Sequence, residues 1–242
     1  MILPPKVKDD WEDIPKAGIN YCTSINMKMD VRRQKKAVGG YYASVAYMDA
    51  QVGKVLDALD QSGLAKKTII ILTSDHGFHL GELDLWGKLT NYDLGSNAPM
   101  LIASPKQKAK GATIDKAVEF LDIYPTVADL CGLTKPDALE GASLVNTLDD
   151  PAAKVNNFAV SQIPRPVSYN FMGRLPINMG YSIRTEHFRY TKWVNFKTGK
   201  IFAEEFYDYN KFHMEKENEI NNPEYLPVLK NLRRKLNKLV KK

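Results

Sequence analysis

Between residues 38 and 59 the apolar positions recur every three or four residues. They are Tyr41, Val45, Met48, Val52, Val55 and Leu59, with Val38 and Leu56 beside them. That period gathers them on one face of a helix, and Gly63 stands where a left-handed C-cap ends it. The next apolar segment has no helical period. Thr68-Ile69-Ile70-Ile71-Leu72-Thr73 is continuous, short and β-branched, which predicts a strand buried on both faces of a parallel sheet. Pro99-Met100-Leu101-Ile102-Ala103 predicts a second short strand. Residues 122–130 predict a helix with Asp122 near its cap and Gly132 closing it. Helices and strands in alternation indicate an α/β layer. Residues 1–30, interrupted by Pro4, Pro5, Pro15 and Gly18, predict irregular structure.

The pattern changes near Asp150-Pro151, which divides the chain into residues 1–150 and 151–242. Past a polar stretch ending at Asn178, Met179-Gly180-Tyr181-Ser182-Ile183-Arg184 and His187-Phe188-Arg189-Tyr190-Thr191-Lys192-Trp193 alternate apolar with polar positions around Thr185-Glu186. This predicts two antiparallel strands with one face wet. Leu229, Leu232, Leu236 and Leu239 then set the stripe of a docked terminal helix.

Charge adds to the picture only at that helix. The 242 residues carry 34 Lys and Arg against 28 Asp and Glu, a net charge of +6. Residues 228–242 hold seven of the basic residues and no acid, and the remainder has 27 basic residues against 28 acidic ones. The basic excess is therefore a solvated helix face, and without aromatic residues among the charges it does not indicate nucleic acid. Two cysteines, Cys22 and Cys131, are too few for a disulfide framework. No apolar run is long enough to span a membrane. The first residues lack the charged start and apolar run of a signal peptide and read like the middle of a chain.

Chemistry concentrates between Ser74 and Asn91, at the carboxyl end of the predicted strand 68–73, where open α/β sheets bind ligands. Asp75 and His76 are adjacent there, a carboxylate and an imidazole suited to a cation. Gly77, Gly81 and Gly87 permit tight turns, and Lys88 can bring positive charge to an anionic group. Residue types alone lead to an anion-and-metal site.

Ordered motifs say more. Thr73-Ser74-Asp75-His76-Gly77, Leu80-Gly81-Glu82, Trp86-Gly87-Lys88, Thr90-Asn91 and Pro99-Met100-Leu101-Ile102 follow Tyr41-Tyr42-Ala43-Ser44-Val45-Ala46-Tyr47-Met48-Asp49. They precede Asp122-Ile123-Tyr124-Pro125-Thr126, Ser161-Gln162-Ile163-Pro164-Arg165-Pro166 and Gly180-Tyr181-Ser182-Ile183-Arg184-Thr185. In these motifs, spread over nearly the whole chain, the sequence resembles the sulfatases, and among them the iduronate-2-sulfatase-like subgroup. The resemblance implies an alkaline-phosphatase-like α/β fold with a parallel-sheet core and a smaller C-terminal antiparallel subdomain with a terminal helix. It implies hydrolysis of sulfate esters on sugars, as in glycosaminoglycan degradation, with a divalent cation, usually calcium, and a formylglycine nucleophile. Asp75 and His76 would be metal ligands, and Lys88 the catalytic contact to the sulfate.

Departures from the family pattern shape the expectation. Neither Cys22 nor Cys131, nor any serine, begins the Cys/Ser-x-Pro-x-Arg motif that yields formylglycine, and neither Asp9-Asp10 nor Asp149-Asp150 follows a strand as the family's other metal carboxylates do. Leu83-Asp84 stands where relatives often carry His-Gly, and Asn97 where Arg or His is common. The expectation is a C-terminal portion whose nucleophile lies in an N-terminal half, itself a possible partner, with residues 1–150 belonging to the catalytic domain and 151–242 to the subdomain. Alone it would be inactive and poorly stable, with sheet edges and apolar surface exposed. The alternatives are a non-catalytic remnant of the fold and a phosphoesterase of the same superfamily.

Overall fold

The computed structural model describes residues 1–4, 11–168 and 172–240. A long helix, α1 (Val31–Gln61), begins where Asp30 accepts the Arg33 amide and ends just before Gly63, in the left-handed region at φ 70°. The expected apolar stripe is present, but it meets little protein. Only Gln34 and Val38 are buried on α1, while Tyr47 is 71% and Val55 68% exposed.

Strand β1 (Ile70–Thr73) corrects the expectation of a doubly buried strand in a parallel sheet. It pairs antiparallel with β4 (Met100–Ala103), Ile71 opposite Ile102, in a sheet of two strands, and Leu72 and Leu101 are exposed. The physical reason is that strand pairing satisfies only one edge of β1, while the faces that carry Leu72 and Leu101 have no layer packed over them among the described residues. Between them, β2 (His79–Leu80) and β3 (Trp86–Gly87) form a minimal hairpin, and a one-turn helix, α2 (Asp93–Ser96), follows. Helix α3 (Ile123–Cys131) starts after Asp122 and ends on left-handed Gly132, as its pattern predicts. The Asp122 carboxylate reaches past the cap to the amides of Glu119 and Ala142. A short α4 (Val145–Asp149) completes this part.

The larger sheet is wholly antiparallel, in the order β5 (Ala159–Arg165), β6 (Asn178–Arg184), β7 (Phe188–Asn195) and β8 (Ile201–Asp208). Across it Ile183, Tyr190 and Phe206 stand in register, and they pack on Leu229, Leu232 and Leu236 of the terminal helix α5 (Leu226–Leu239). Leu239 is half exposed at its end. The alternation of β6 and β7 is as expected, but the polar face is not wet. Ser182, Arg189, Thr191 and Glu205 are all buried there, beneath an apolar cluster of Ile14, Leu83, Leu85 and Tyr92 packed on Tyr207. Irregular residues near the N-terminus and the segment after β2 thus cover a face whose polarity suggested solvent. Cys22 and Cys131 are free thiols. No helix among the described residues is long and apolar enough to cross a membrane.

Gly180 opposes Trp193 across this buried face. A Cβ at Gly180 would lie 2.5 Å from the indole, which cannot withdraw because its Nε1–H donates to Glu205 at 2.6 Å. Gly180→Ala is therefore expected to lower stability by about 1–3 kcal/mol through overpacking, measured by urea denaturation. An unchanged midpoint would mean that the indole is free to shift.

Candidate functional site

Asp75 and His76 leave the end of β1 as expected. Gly77 turns the chain so tightly that a Cβ there would sit 2.2 Å from the Leu94 carbonyl oxygen, and its amide donates to the Gly95 carbonyl at 3.2 Å. The His76 ring is oriented by its own neighbour. Nδ1 lies 2.7 Å from the Gly77 carbonyl oxygen; a carbonyl only accepts, so Nδ1 carries the proton and Nε2 offers its lone pair. That lone pair faces the Asp75 carboxylate at 3.3 Å and the Lys88 ammonium at 2.5 Å. The carboxylate and the ammonium thus both lie against one imidazole nitrogen. Lys88 reaches this place because the β2–β3 hairpin folds residue 88 back over residue 76 and Gly87, at φ 80°, turns the chain out of β3.

The group opens into a cleft of about 790 Å³, lined further by Asn91, Asp93, Gln162, Arg184 and Glu186. The Asp75 side chain is 83% exposed, whereas the support for Lys88 is buried. Two residues past Lys88, the Thr90 hydroxyl meets Nε2 of the fully buried His79 at 2.8 Å. Burial lowers His79 to about 4.

Three arginines, one from each of three adjacent strands, grip the same segment. Arg165 of β5 donates to the Leu89 carbonyl at 3.1 Å. Arg189 of β7 donates to the Asn91 carbonyl at 2.5 Å and to the Asp93 carboxylate at 2.8 Å. Arg184 of β6 donates to the same Asp93 oxygen at 2.9 Å and stacks over the Tyr209 ring, 3.7 Å from its centroid. Glu215 completes the network, 3.0 Å from Arg189 and accepting the Asp93 amide at 2.6 Å. Burial alone would raise the Asp93 carboxyl, but the guanidiniums of Arg189 and Arg184 outweigh it and hold Asp93 below the ordinary range. Beneath lies a second buried carboxylate, Glu205, which accepts from Trp193, Tyr92 and Tyr207 and is raised by its burial.

The structure brings Asp75, His76 and Lys88 together. As a cation site the pair Asp75–His76 fits in kind but not in number. No group of three or more His, Cys, Asp or Glu is placed to hold a metal among the described residues, and calcium takes roughly six to eight ligands, mostly oxygen. Asp93, Arg189 and Glu215 were not picked out from the sequence as functional. Arg184 and Arg165 belong to motifs that resemble the family, but their residue types alone indicate no role. The available signal was charge at alternating positions of otherwise well-packed strands.

Comparison with known proteins decides the family. The sulfatase profile matches residues 4–133, and the profile of the N-sulphoglucosamine sulphohydrolase C-terminal region matches residues 81–242. The chain belongs to the sulfatase family. It is 31% identical to iduronate 2-sulfatase of Mus musculus over 83% of this chain and 46% of that one. A solved structure described as bound to its substrate, D-glucosamine-2-N,6-O-disulfate, shares 28% identity, with TM-score 0.71 over 82% of this chain and 39% of that one. A 2-O GAG sulfatase structure shares the fold, with TM-score 0.80 at 24% identity over 99% of this chain and 52% of that one. The chain spans about half the length, or less, of the curated relatives it matches.

Two outcomes follow from the supports of Lys88. His79 has its folded value, about 4, below its unfolded 6.5, so the unfolded chain binds the proton more readily. The associated stability is complete above pH 6.5 and is lost as pH falls toward 4. At pH 5 the loss is about 2 kcal/mol, and His79→Gln, which cannot take up that proton, should flatten this part of the urea-derived stability profile. An unaltered profile would assign the acid sensitivity elsewhere. Arg189→Leu strands Asp93 and Glu215 under cover and should cost about 3–5 kcal/mol, read as a lowered melting temperature.

Proposed function

We propose that this chain is the C-terminal part of a metal-dependent sulfuric ester hydrolase, iduronate-2-sulfatase-like, acting on sulfated sugars of glycosaminoglycan type. The observation that carries the proposal is the convergence of Asp75, His76 and Lys88 at the mouth of one cleft in a chain of the sulfatase family. A structural relative described as bound to its substrate, D-glucosamine-2-N,6-O-disulfate, supports the substrate class.

In this reading residues 1–150 belong to the catalytic α/β domain, whose β1–β4 ribbon would gain further strands at its free edge. Residues 151–242 form the C-terminal subdomain, a division supported by the apolar core that β6, β7, β8 and α5 make among themselves. Asp75 and His76 would give two ligands to a divalent cation, calcium by family habit, with the rest coming from a segment beyond this chain. When bound, the cation supplies positive charge against the sulfate oxygens. His76 presents Nε2 in the required tautomer because Gly77 holds Nδ1–H. The Lys88 ammonium sits where it can draw a sulfate oxygen into the cleft and stabilise charge that grows on the leaving oxygen. The formylglycine would lie in an N-terminal half, because none of the Cys or Ser residues here has the required motif.

The test is aryl sulfate hydrolysis with calcium, by the chain alone and by the chain complemented with an N-terminal sulfatase segment carrying the nucleophile motif. The chain alone should be inactive and the complemented protein active. Lys88→Ala should then reduce kcat about a hundredfold, since its contact strengthens in the transition state. Asp75→Asn should be partly rescued by excess cation, as a weakened ligand set implies. Full activity of Lys88→Ala would make Lys88 a surface lysine. Turnover by the chain alone that depends on Asp75 would overturn the partial-site reading.

A further inference from the structure

We infer that the solvent face of α5 is a binding surface for a linear sulfated polysaccharide, separate from the cleft. The inference rests on the reading of the cleft as a sulfated-sugar site and adds to it a place for the rest of the polymer.

Leu229, Leu232 and Leu236 are buried against the four-stranded sheet, so the helix is fixed and its outer face is defined. On that face Lys230, Arg234 and Lys238 are exposed at four-residue steps, a rise of about 6 Å from each cation to the next. None of the three has a carboxylate partner among the described residues, and Arg234 contacts only the Asn231 amide oxygen, at 3.2 Å. Their neighbours differ. Arg233 is paired with Glu204 at 2.9 Å, and Lys235 lies over the Phe158 ring at 3.6 Å with Glu119 nearby. The helix contains no acid.

The chemistry selects the partner. The stripe offers evenly spaced charge with no aromatic ring on which a base could stack, and the helix has already spent its apolar face on the sheet, so it cannot enter a lipid surface. A polymer that presents regularly spaced sulfates and needs only charge complementarity fits. A chain whose net positive charge is concentrated in this segment would hold such a polymer by counterion release.

Calorimetric titration of the intact chain with a heparin octasaccharide, over a series of salt concentrations, tests the inference. The triple variant Lys230→Gln, Arg234→Gln, Lys238→Gln should bind at least about tenfold more weakly at moderate salt, and the slope of log affinity against log salt should fall by about two to three. The double variant Lys230→Arg, Lys238→Arg should bind like the parent, because charge is retained. All three positions are exposed, so the variants should fold, which circular dichroism checks. Unchanged affinity in the triple variant would overturn the inference. So would equal binding of a desulfated octasaccharide, or equally tight binding of a DNA duplex of matched charge through the same three residues. Octasaccharide affinity bears on α5 and Lys88→Ala turnover on the cleft, so the two readings fail separately.

Discussion

One carboxylate ties the candidate site to the body of the protein. Asp93 lies between Arg184 and Arg189, which come from neighbouring strands of the same sheet, and its own amide is held by Glu215. Arg189 is almost completely buried, and a buried ion pair is costly to break even where it adds little net stability. The value of the arrangement is positional. The strands are rigid and adjacent, so two guanidiniums meeting at one oxygen fix that oxygen, and with it the start of α2. From α2 the Gly95 carbonyl holds Gly77, whose own carbonyl sets the His76 ring. A chain of directed polar contacts runs from the sheet to the imidazole without depending on the exposed β1–β4 ribbon.

The sequence made the elements legible but not their cover. The three- to four-residue period gave α1, the closing Gly132 gave α3, and the leucine stripe gave α5, because each is a local regularity. The fate of each face is a tertiary fact. Ser182, Arg189 and Thr191 alternate with apolar neighbours as in a sheet with one wet side, yet that side carries the segment on which Lys88 depends. Polar residues here mark a gripping surface, and only their density of charge, with Arg165, Arg184 and Arg189 at strand positions, separates it from a solvated one. Asp75, His76 and Lys88 were legible as a group because the family resemblance joins residues that lie twelve positions apart. Asp93 and Glu215 gave no comparable signal, being ordinary acids until the fold places them against arginines.

The α1 helix and the β1–β4 ribbon raise the opposite question, of apolar surface without cover. Tyr42, Tyr47, Val55 and Leu101 are more than half exposed. A contiguous apolar helix face commonly marks a contact with another element, and two paired strands are marginal by themselves. The long continuous run at 68–73 has the composition of a central strand, and its single antiparallel neighbour accounts for only one of its two edges. A chain spanning about half the length of its relatives or less is consistent with both features. The four-stranded sheet with α5 shows no such deficit: its apolar face is closed by three buried leucines, and its polar face by the residues around Leu85 and Tyr92.

The two halves of the candidate site therefore rest on supports of unequal strength. Lys88 and Thr90 belong to a segment clamped through Leu89, Asn91 and Asp93 to three strands of a well-packed sheet. Asp75 extends from the end of a short ribbon, largely in solvent. Such regions open locally with different free energies, so the lysine side is preorganised while the carboxylate side depends on the turn at Gly77. That turn is secured by close packing as well as by hydrogen bonding: the Leu94 and Asn97 carbonyls leave no room for a Cβ. Glycine at position 77 is thus a condition of the site, because any side chain would push Asp75 and His76 away from the segment that holds Lys88. The positions of the His76 ring and of the segment that carries Lys88 are thus fixed by the buried polar face of the sheet, transmitted through Asp93 and the Gly77 turn.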